Sequence, residues 1–222
     1  MEISFDLSDG LARIAFDDGK KNAVTLDALD ALEAAMDEAE AKAEAVVIIG
    51  RPGSFCAGFD MAGMLGADPD TPVRLGLGGG RVARRLFAFP GPTAAACTGH
   101  AFTVGVLWLL GCDARVGESG PFKLSMTEVK LGVPLDGWPL PLLRARVPST
   151  ELQQVVIQSK TFSPEESIAA GFLDEVVAVG EAERRALERL EELRALPAKA
   201  YAATKRALRS AVVAEMDAGL KR

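Results

Sequence analysis

The stretch AAACTGHAFTVGVLWLLGCD, residues 94–113, decides the fold, because it joins a buried strand directly to a buried helix. The small side chains of residues 93–97 predict a strand, Gly99 interrupts the run, and the apolar residues 104–110 predict a helix. A strand that turns sharply into a helix leaves the first N–H groups of that helix without partners. Such a terminus can hold an oxyanion.

A second loop is expected opposite this helix start. Residues 45–50, AVVIIG, are continuously apolar, as in a strand covered on both faces, and residues 51–61 follow with a proline and two glycines. They therefore predict a loop at the carboxyl end of a strand, where ligands bind in open α/β sheets. If residues 54–61 supply a free N–H, the two loops together could stabilise an enolate oxygen.

The rest of the chain predicts an α/β protein. Alternating runs at residues 3–7 and 11–16, joined by Asp9-Gly10, predict an antiparallel hairpin. Thr25 is placed to cap a helix at residues 26–43, and the strand that follows it implies a parallel crossover. Further helices are predicted at 72–89, 138–147, 150–160, from Ser163, at 181–196 and from 197 to about 208, and further strands at 114–117, 121–124 and 174–179.

The helix predicted at residues 72–89 has a glycine-rich first half, with Gly76 and the run Gly78-Gly79-Gly80. A phosphate-binding loop is not indicated, because no preceding strand and no GxxxxGK[ST] pattern accompany the glycines. We expect this segment to be a mobile or distorted lid.

Composition limits the function classes. The net charge of −6 and the lack of a dense basic block argue against a nucleic-acid surface and against a membrane patch, so the expected partner is a small molecule. Three cysteines without CxxC spacing and one histidine make a poor metal set, and no metal is expected. Without a targeting segment in the sequence, the expected location is the cytoplasm. We expect a core domain at residues 1–180 and a helical region at residues 181–222.

Two motifs in this order and spacing resemble the crotonase superfamily, the enoyl-CoA hydratase/isomerase family. SFCAGFDM at residues 54–61 resembles its first oxyanion loop, and residues 98–113 resemble its second, usually NGxAxGGGxxLxxxCD. The resemblance implies a crotonase (ClpP-like) fold of repeated ββα units with a C-terminal helical trimerisation region, short here relative to the family. It also implies an acyl-CoA substrate, no cofactor other than the coenzyme A that the substrate carries, and a homotrimer or hexamer.

The same resemblance implies the catalytic groups. The backbone N–H groups of Ala57 and Val104 would hold the thioester oxygen, although Val104 stands in Thr-Val-Gly where the family usually has three glycines. Of the two glutamates that family hydratases use, the first is replaced here by Leu107. The second is matched by Glu128, four residues before Gly132.

With one carboxylate, the reaction that the resemblance favours is that of Δ3,Δ2-enoyl-CoA isomerases, in which Glu128 would move a proton between two carbons. The alternatives are a hydratase or another thioester-enolate reaction such as hydrolysis or decarboxylation, and, from a different class, a non-catalytic CoA-binding scaffold. For Glu128 itself the alternative is an exposed carboxylate on a turn.

The predicted substrate-binding residues surround these groups, each with a structural alternative. The basic pair before Asn22 would meet CoA phosphates or be merely solvated, and His100 would face the substrate or fill space. Asp60 could instead cap a helix, and Lys205 matches a C-terminal motif whose lysine can reach a nucleotide. The predicted substrate-binding set is Lys20, Asn22, Ala23, Phe59, Asp60, Met61, His100 and Trp138.

Overall fold

The structure is a computed structural model that describes residues 2–66 and 68–221. Its β-strands are β1 (Glu2–Ser8), β2 (Leu11–Asp17), β3 (Ala23–Val24), β4 (Ala45–Ile49), β5 (Gly53–Cys56), β6 (Gly58–Phe59), β7 (Thr93–Cys97), β8 (Gly99–Phe102), β9 (Ala114–Glu118), β10 (Leu124–Ser125) and β11 (Glu175–Val177).

The α-helices are α1 (Leu26–Lys42), α2 (Met61–Met64), α3 (Thr71–Ala88), α4 (Val104–Gly111), α5 (Pro139–Arg146), α6 (Glu166–Ala169), α7 (Ala182–Arg194) and α8 (Ala198–Gly219). A short 3₁₀ helix covers Val129–Leu131, and a π-helical turn covers Gln153–Ile157. Among the described residues, no helix combines the length and the apolar character that a membrane crossing requires.

The chain repeats a unit of two strands and a helix, as expected. β4, β5 and α3 form one unit, β7, β8 and α4 the next, and β9, β10 and α5 another. The first strands of these units join a sheet of order β1-β2-β4-β7-β9-β11, and the second strands join a smaller sheet of order β10-β8-β5. All neighbouring strands are parallel except the β1–β2 hairpin. The carboxyl ends of the strands in each parallel sheet therefore meet along one edge.

Local sequence patterns predicted several elements correctly. The hairpin, the strand β7 and the helix α4 are confirmed. Thr25 does cap α1, since its side-chain oxygen accepts a hydrogen bond from the N–H of Ala28 at 3.2 Å. The expected crossover is confirmed by the parallel pairing of β2 with β4.

Other boundaries differ from the prediction. Residues 51–61 are not simply a loop, because β5 and β6 lie within them and pair with β8 and β3. Residues 150–160 form only the π-helical turn, and residues 121–124 reach a strand only at Leu124. Pairing with distant strands, which local sequence does not reveal, accounts for the first of these differences.

The prediction of a mobile or distorted lid at residues 72–89 is wrong. This segment is the continuous helix α3, and Gly78, Gly79 and Gly80 are all buried in it. Atoms of neighbouring elements fill the space that a side chain at each of these glycines would need. The glycines therefore serve close packing rather than mobility.

Two apolar cores lie on opposite faces of the six-stranded sheet. Alternate residues of β4 and β7 belong to different cores, as the period of a strand requires. The larger core contains side chains from α1, α3 and α4, and the smaller one is covered by Ala182, Ala186 and Leu190 of α7. The C-terminal helices thus complete the fold of the core.

The last helix, α8, lies along α3 and α5 and is fastened by buried charges. The ammonium of Lys205 donates to a carboxylate oxygen of Asp113 at 2.5 Å and to the carbonyl of Gly91 at 2.8 Å. Arg209 lies 2.7 Å from the other oxygen of Asp113. The prediction that Lys205 reaches a nucleotide is wrong, because its charged end is enclosed between these partners.

Replacing Asp113 by Asn should lower the free energy of unfolding by about 3–5 kcal/mol, because Lys205 and Arg209 would stay buried without their counter-charge. Urea denaturation followed by circular dichroism measures this change. Asp217→Asn is the matched control, since its pair with Arg84 is 33–39% exposed and should cost about 1 kcal/mol or less. Equally small losses in both variants would contradict the role assigned to Asp113.

Candidate active site

The two predicted loops meet in the structure. β5 and β8 are parallel neighbours, and the chain after each leads to the same edge of the small sheet. A side chain at Gly58 would place its Cβ 2.5 Å from the hydroxyl oxygen of Thr103, and one at Gly105 would place it 2.7 Å from the Cβ of Cys56. The second loop and the first turn of α4 are therefore packed directly against the first loop.

The start of α4 supplies an unused N–H, as predicted for Val104. The N–H of Thr103 donates to the carbonyl of Ser125 at 3.0 Å, and the carbonyl of Thr103 accepts from Leu107 at 3.1 Å. The N–H of Val104 has no hydrogen-bond partner within residues 2–66 and 68–221. It is one of the unsatisfied donors of a helix terminus, and it lies in buried surroundings where a ligand oxygen could accept from it.

The first donor, however, is not Ala57. Its N–H already donates to the carbonyls of Lys21 and Asn22, at 3.1 and 3.2 Å, so the prediction for Ala57 is wrong. The N–H of Asp60 likewise donates to the carbonyl of Val24 on β3, at 2.9 Å. In a parallel pair of strands only alternate residues bond to the neighbouring strand. The bond from Asp60 to Val24 belongs to the register that pairs Val24 with Phe59, so the N–H of Phe59 faces away from β3. We take Phe59 as the candidate first donor.

Glu128 is half-buried, and one oxygen of its carboxylate is fully buried without a partner among the described residues. It lies three residues beyond the end of β10, and β10 is the parallel neighbour of β8, so Glu128 and Val104 follow adjacent strand ends. Its Oε2 is buried and has no hydrogen bond within the described part of the chain. Burial raises the pKa of Glu128 to about 7. The alternative of an exposed carboxylate is wrong, and the group can both accept and return a proton near neutral pH.

The hydroxyl of Thr103 is a second unpaired polar group at this edge. It too is buried without a hydrogen bond among the described residues. Its backbone has φ 49° and ψ −115°, a conformation that favours glycine. Thr103 was not among the predicted site residues, although its position in the glycine triplet of the motif could have indicated it. Unpaired buried groups and backbone strain concentrate at functional sites.

Leu107 occupies the position of the missing glutamate. It is buried on α4 and lies three residues after Val104, hence on the same face of the helix. This wall of the site therefore carries an aliphatic side chain. No carboxylate stands at that position to hold a water molecule.

Three of the predicted substrate-binding side chains have structural roles instead. The amide of Asn22 donates to the carbonyls of Phe16 and Phe55, and it accepts from the N–H of Asp18. Asp60 caps α2 by accepting from the N–H of Gly63 at 2.9 Å. The indole N–H of Trp138 donates to the carbonyl of Gly76 at 3.1 Å. These side chains hold elements in place, and the predictions of direct substrate binding are corrected accordingly.

The other predicted positions are distributed around the loops. His100 accepts from the N–H of Lys123 at 3.0 Å and stacks on Phe102, so it fills space between strands rather than facing substrate. Lys20 is exposed in the turn before β3, and Ala23 lies on β3. Met61, 48% exposed, begins α2 directly after the first loop.

The fold of repeated ββα units and the paired loops define the crotonase class of α/β proteins. The family profile described as enoyl-CoA hydratase/isomerase matches residues 6–221, and the chain belongs to this family. A solved enoyl-CoA hydratase/isomerase family protein from Pseudomonas syringae is 34% identical, with a TM-score of 0.92 over 99% of this chain and 95% of that one.

Two mycobacterial relatives carry different names. The solved enoyl-CoA isomerase from Mycobacterium tuberculosis is 33% identical, with a TM-score of 0.91 over 99% of this chain and 96% of that one. "Probable enoyl-CoA hydratase echA17" from Mycobacterium avium (strain 104) is 30% identical over 76% of this chain. The match spans about two thirds, 66%, of the length of that curated relative.

The raised pKa of Glu128 predicts a pH-dependent stability. Between the ordinary value of 4.5 and about 7 the folded protein holds a proton that the unfolded chain releases, so stability falls as the pH rises through this range. Glu128→Gln stays neutral at every pH. Its free energy of unfolding should therefore exceed that of wild type by up to about 3 kcal/mol at about pH 8 and differ little at about pH 4. Thermal unfolding at both pH values tests this prediction, and Glu165→Gln, at an exposed position, is the control. An increase in the thermal midpoint that is the same at both pH values would refute it.

Relieving the strain at Thr103 should also stabilise the fold. Thr103→Gly removes an unpaired hydroxyl and a disfavoured backbone conformation, for a net gain of about 1 kcal/mol in the free energy of unfolding. Thr103→Ser keeps both features and should gain nothing. Urea denaturation compares the two, and a destabilised glycine variant would show that the threonine side chain stabilises the turn.

Proposed function

We propose that the protein moves the double bond of an enoyl-CoA thioester from C3=C4 to C2=C3, with Glu128 as the group that carries the proton. The observation that supports this most directly is a half-buried carboxylate, with one oxygen enclosed and unpaired among the described residues, that follows the strand end next to a helix start whose N–H is unused. The acyl-CoA substrate itself is part of the proposal, which draws on the family to which the chain belongs.

In the first step, the carboxylate of Glu128 removes a proton from C2. The electron pair of the C–H bond moves toward the thioester carbonyl and gives an extended enolate. The N–H groups of Val104 and Phe59 stabilise the negative oxygen, because donors that are already in place need no reorganisation as charge develops.

In the second step, the protonated Glu128 returns the same proton to C4. The electron pair flows back from the oxygen, the double bond forms between C2 and C3, and the carboxylate is regenerated. A pKa of about 7 suits both steps. A carboxylate with a much lower pKa would be too weak a base to remove the proton, and a group with a much higher pKa would hold the proton too tightly to return it.

Water addition is the second candidate, and the name of the Mycobacterium avium relative favours it. Addition of water needs a group that orients and activates the water while another group moves the proton to carbon. Leu107, which is buried and apolar, stands where the second carboxylate would be needed. We therefore expect hydration to be the slower reaction.

The test incubates the protein with a 3-enoyl-CoA and follows the 2-trans product by chromatography, alongside hydration of crotonyl-CoA. Glu128→Gln should lower the turnover number by about 10²–10⁴-fold, and wild-type kcat/KM should rise with pH through about 7, because only the ionised carboxylate accepts a proton. Glu165→Gln, on the surface, should retain full activity. Equal rates for wild type and Glu128→Gln would end the proposal, and faster hydration than isomerisation would favour the second candidate.

A further inference from the structure

The glycine run of α3 packs against three different parts of the molecule. A Cβ on Gly78 would lie 2.7 Å from Cδ1 of Leu29, on α1. A Cβ on Gly80 would lie 2.6 Å from the ring of Trp138. Each glycine thus admits a different neighbour. Gly79, between them, is the glycine that packs against the candidate site.

Gly79 faces both candidate oxyanion donors. A Cβ at this position would lie 2.7 Å from Cγ2 of Val104 and 2.9 Å from Cζ of Phe59. The carbonyl of Gly79 also accepts from the indole N–H of Trp108 at 3.0 Å. Trp108 is four residues after Val104 and so lies on the same face of α4. The first turns of α4 therefore rest on α3 at this glycine.

This contact explains how a valine fits in a glycine motif. The side chain of Val104 is fully buried, and its branched Cβ leaves few allowed orientations. One of its methyl groups occupies space that the missing side chain of Gly79 leaves open.

We propose that Gly79 is a positioning residue for the oxyanion hole: its missing side chain seats Val104 and Phe59 and so sets the spacing of their N–H groups. The inference rests on the proposed use of those two donors. A glycine inside a helix lowers stability relative to alanine. At Gly79 this loss is accompanied by room for the side chains of Val104 and Phe59.

A methyl group at Gly79 would have to push the stiff Val104, the ring of Phe59, or both. The ring of Phe59 can turn away, but the β-branched and fully buried side chain of Val104 has little freedom to do so. The displacement therefore reaches the backbone of Val104 and moves an N–H that must lie within about 2.7–3.1 Å of the developing oxyanion. Small displacements of such groups cost about 10²-fold in rate. Gly79→Ala should therefore lower kcat by about 10–100-fold and leave KM largely unchanged, since the contacts to the rest of the substrate remain.

Two other glycines of α3 provide matched controls. A Cβ on Gly76 meets nothing within 4 Å, so Gly76→Ala should raise the thermal midpoint and keep the wild-type rate. A Cβ on Gly78 would crowd the flexible end of Leu29, so Gly78→Ala should lower stability but not rate. Exchange of the α-proton of an acyl-CoA in deuterated water reads enolate formation directly, whatever reaction follows it.

Val104→Ala tests the contact itself. It keeps the backbone N–H but removes both methyl groups, so Gly79→Ala combined with Val104→Ala should exchange the α-proton faster than Gly79→Ala alone. A wild-type exchange rate in Gly79→Ala, or no recovery in the double variant, overturns the proposal. Exchange without isomerisation in the wild type refutes the proposed function alone. If the wild type exchanges no α-proton, both the proposed function and the proposed role of Gly79 are refuted.

Discussion

The unused N–H at the start of α4 is the constraint on which the site depends. Every residue of α4 is buried, and Thr103, which precedes it, provides no side-chain cap. A buried donor without a partner costs free energy that water cannot offset, so the terminus needs an acceptor from elsewhere. Both backbone groups of Thr103 are engaged, by Ser125 and Leu107, which fixes the direction of the next N–H. The thioester oxygen of the proposed substrate would supply that acceptor.

We expect the candidate site to lower the stability of the fold, whereas ion pairs elsewhere stabilise it. The uncompensated carboxyl of Glu128 and the strained Thr103 lie at one edge of the small sheet. Away from it, Asp113 holds α8 to the body of the protein, and the buried guanidinium of Arg115 is paired with the exposed residue Asp174. The candidate site contains unpaired buried polar groups and a disfavoured backbone conformation, whereas the charged groups of these ion pairs are matched. This contrast is expected when selection acts on activity at one place and on folding at the other.

Local features of this chain could be predicted from the sequence, whereas long-range contacts could not. Thr25 capping α1 and the strand-to-helix turn before Val104 depend on a few adjacent residues. Ala57 was assigned wrongly because its N–H donates to the carbonyls of Lys21 and Asn22, which lie far away in the chain. Glu128 was found through family resemblance. Its burial, which gives the carboxyl its raised pKa, depends on packing that no local pattern encodes.

Departures from the family motif are best understood together with their neighbours in space. Val104 alone would crowd a turn that usually has only glycine, yet a glycine on α3 provides the missing room. Leu107, one turn further on the same face of α4, extends this apolar wall and leaves Glu128 without a second carboxylate to share the work. Moving a proton between two carbons requires one base and no bound water. Hydration requires a bound water molecule as well as a base. Both positions on α4 therefore fit the proposed reaction, because neither supplies a polar group that could activate water beside Glu128.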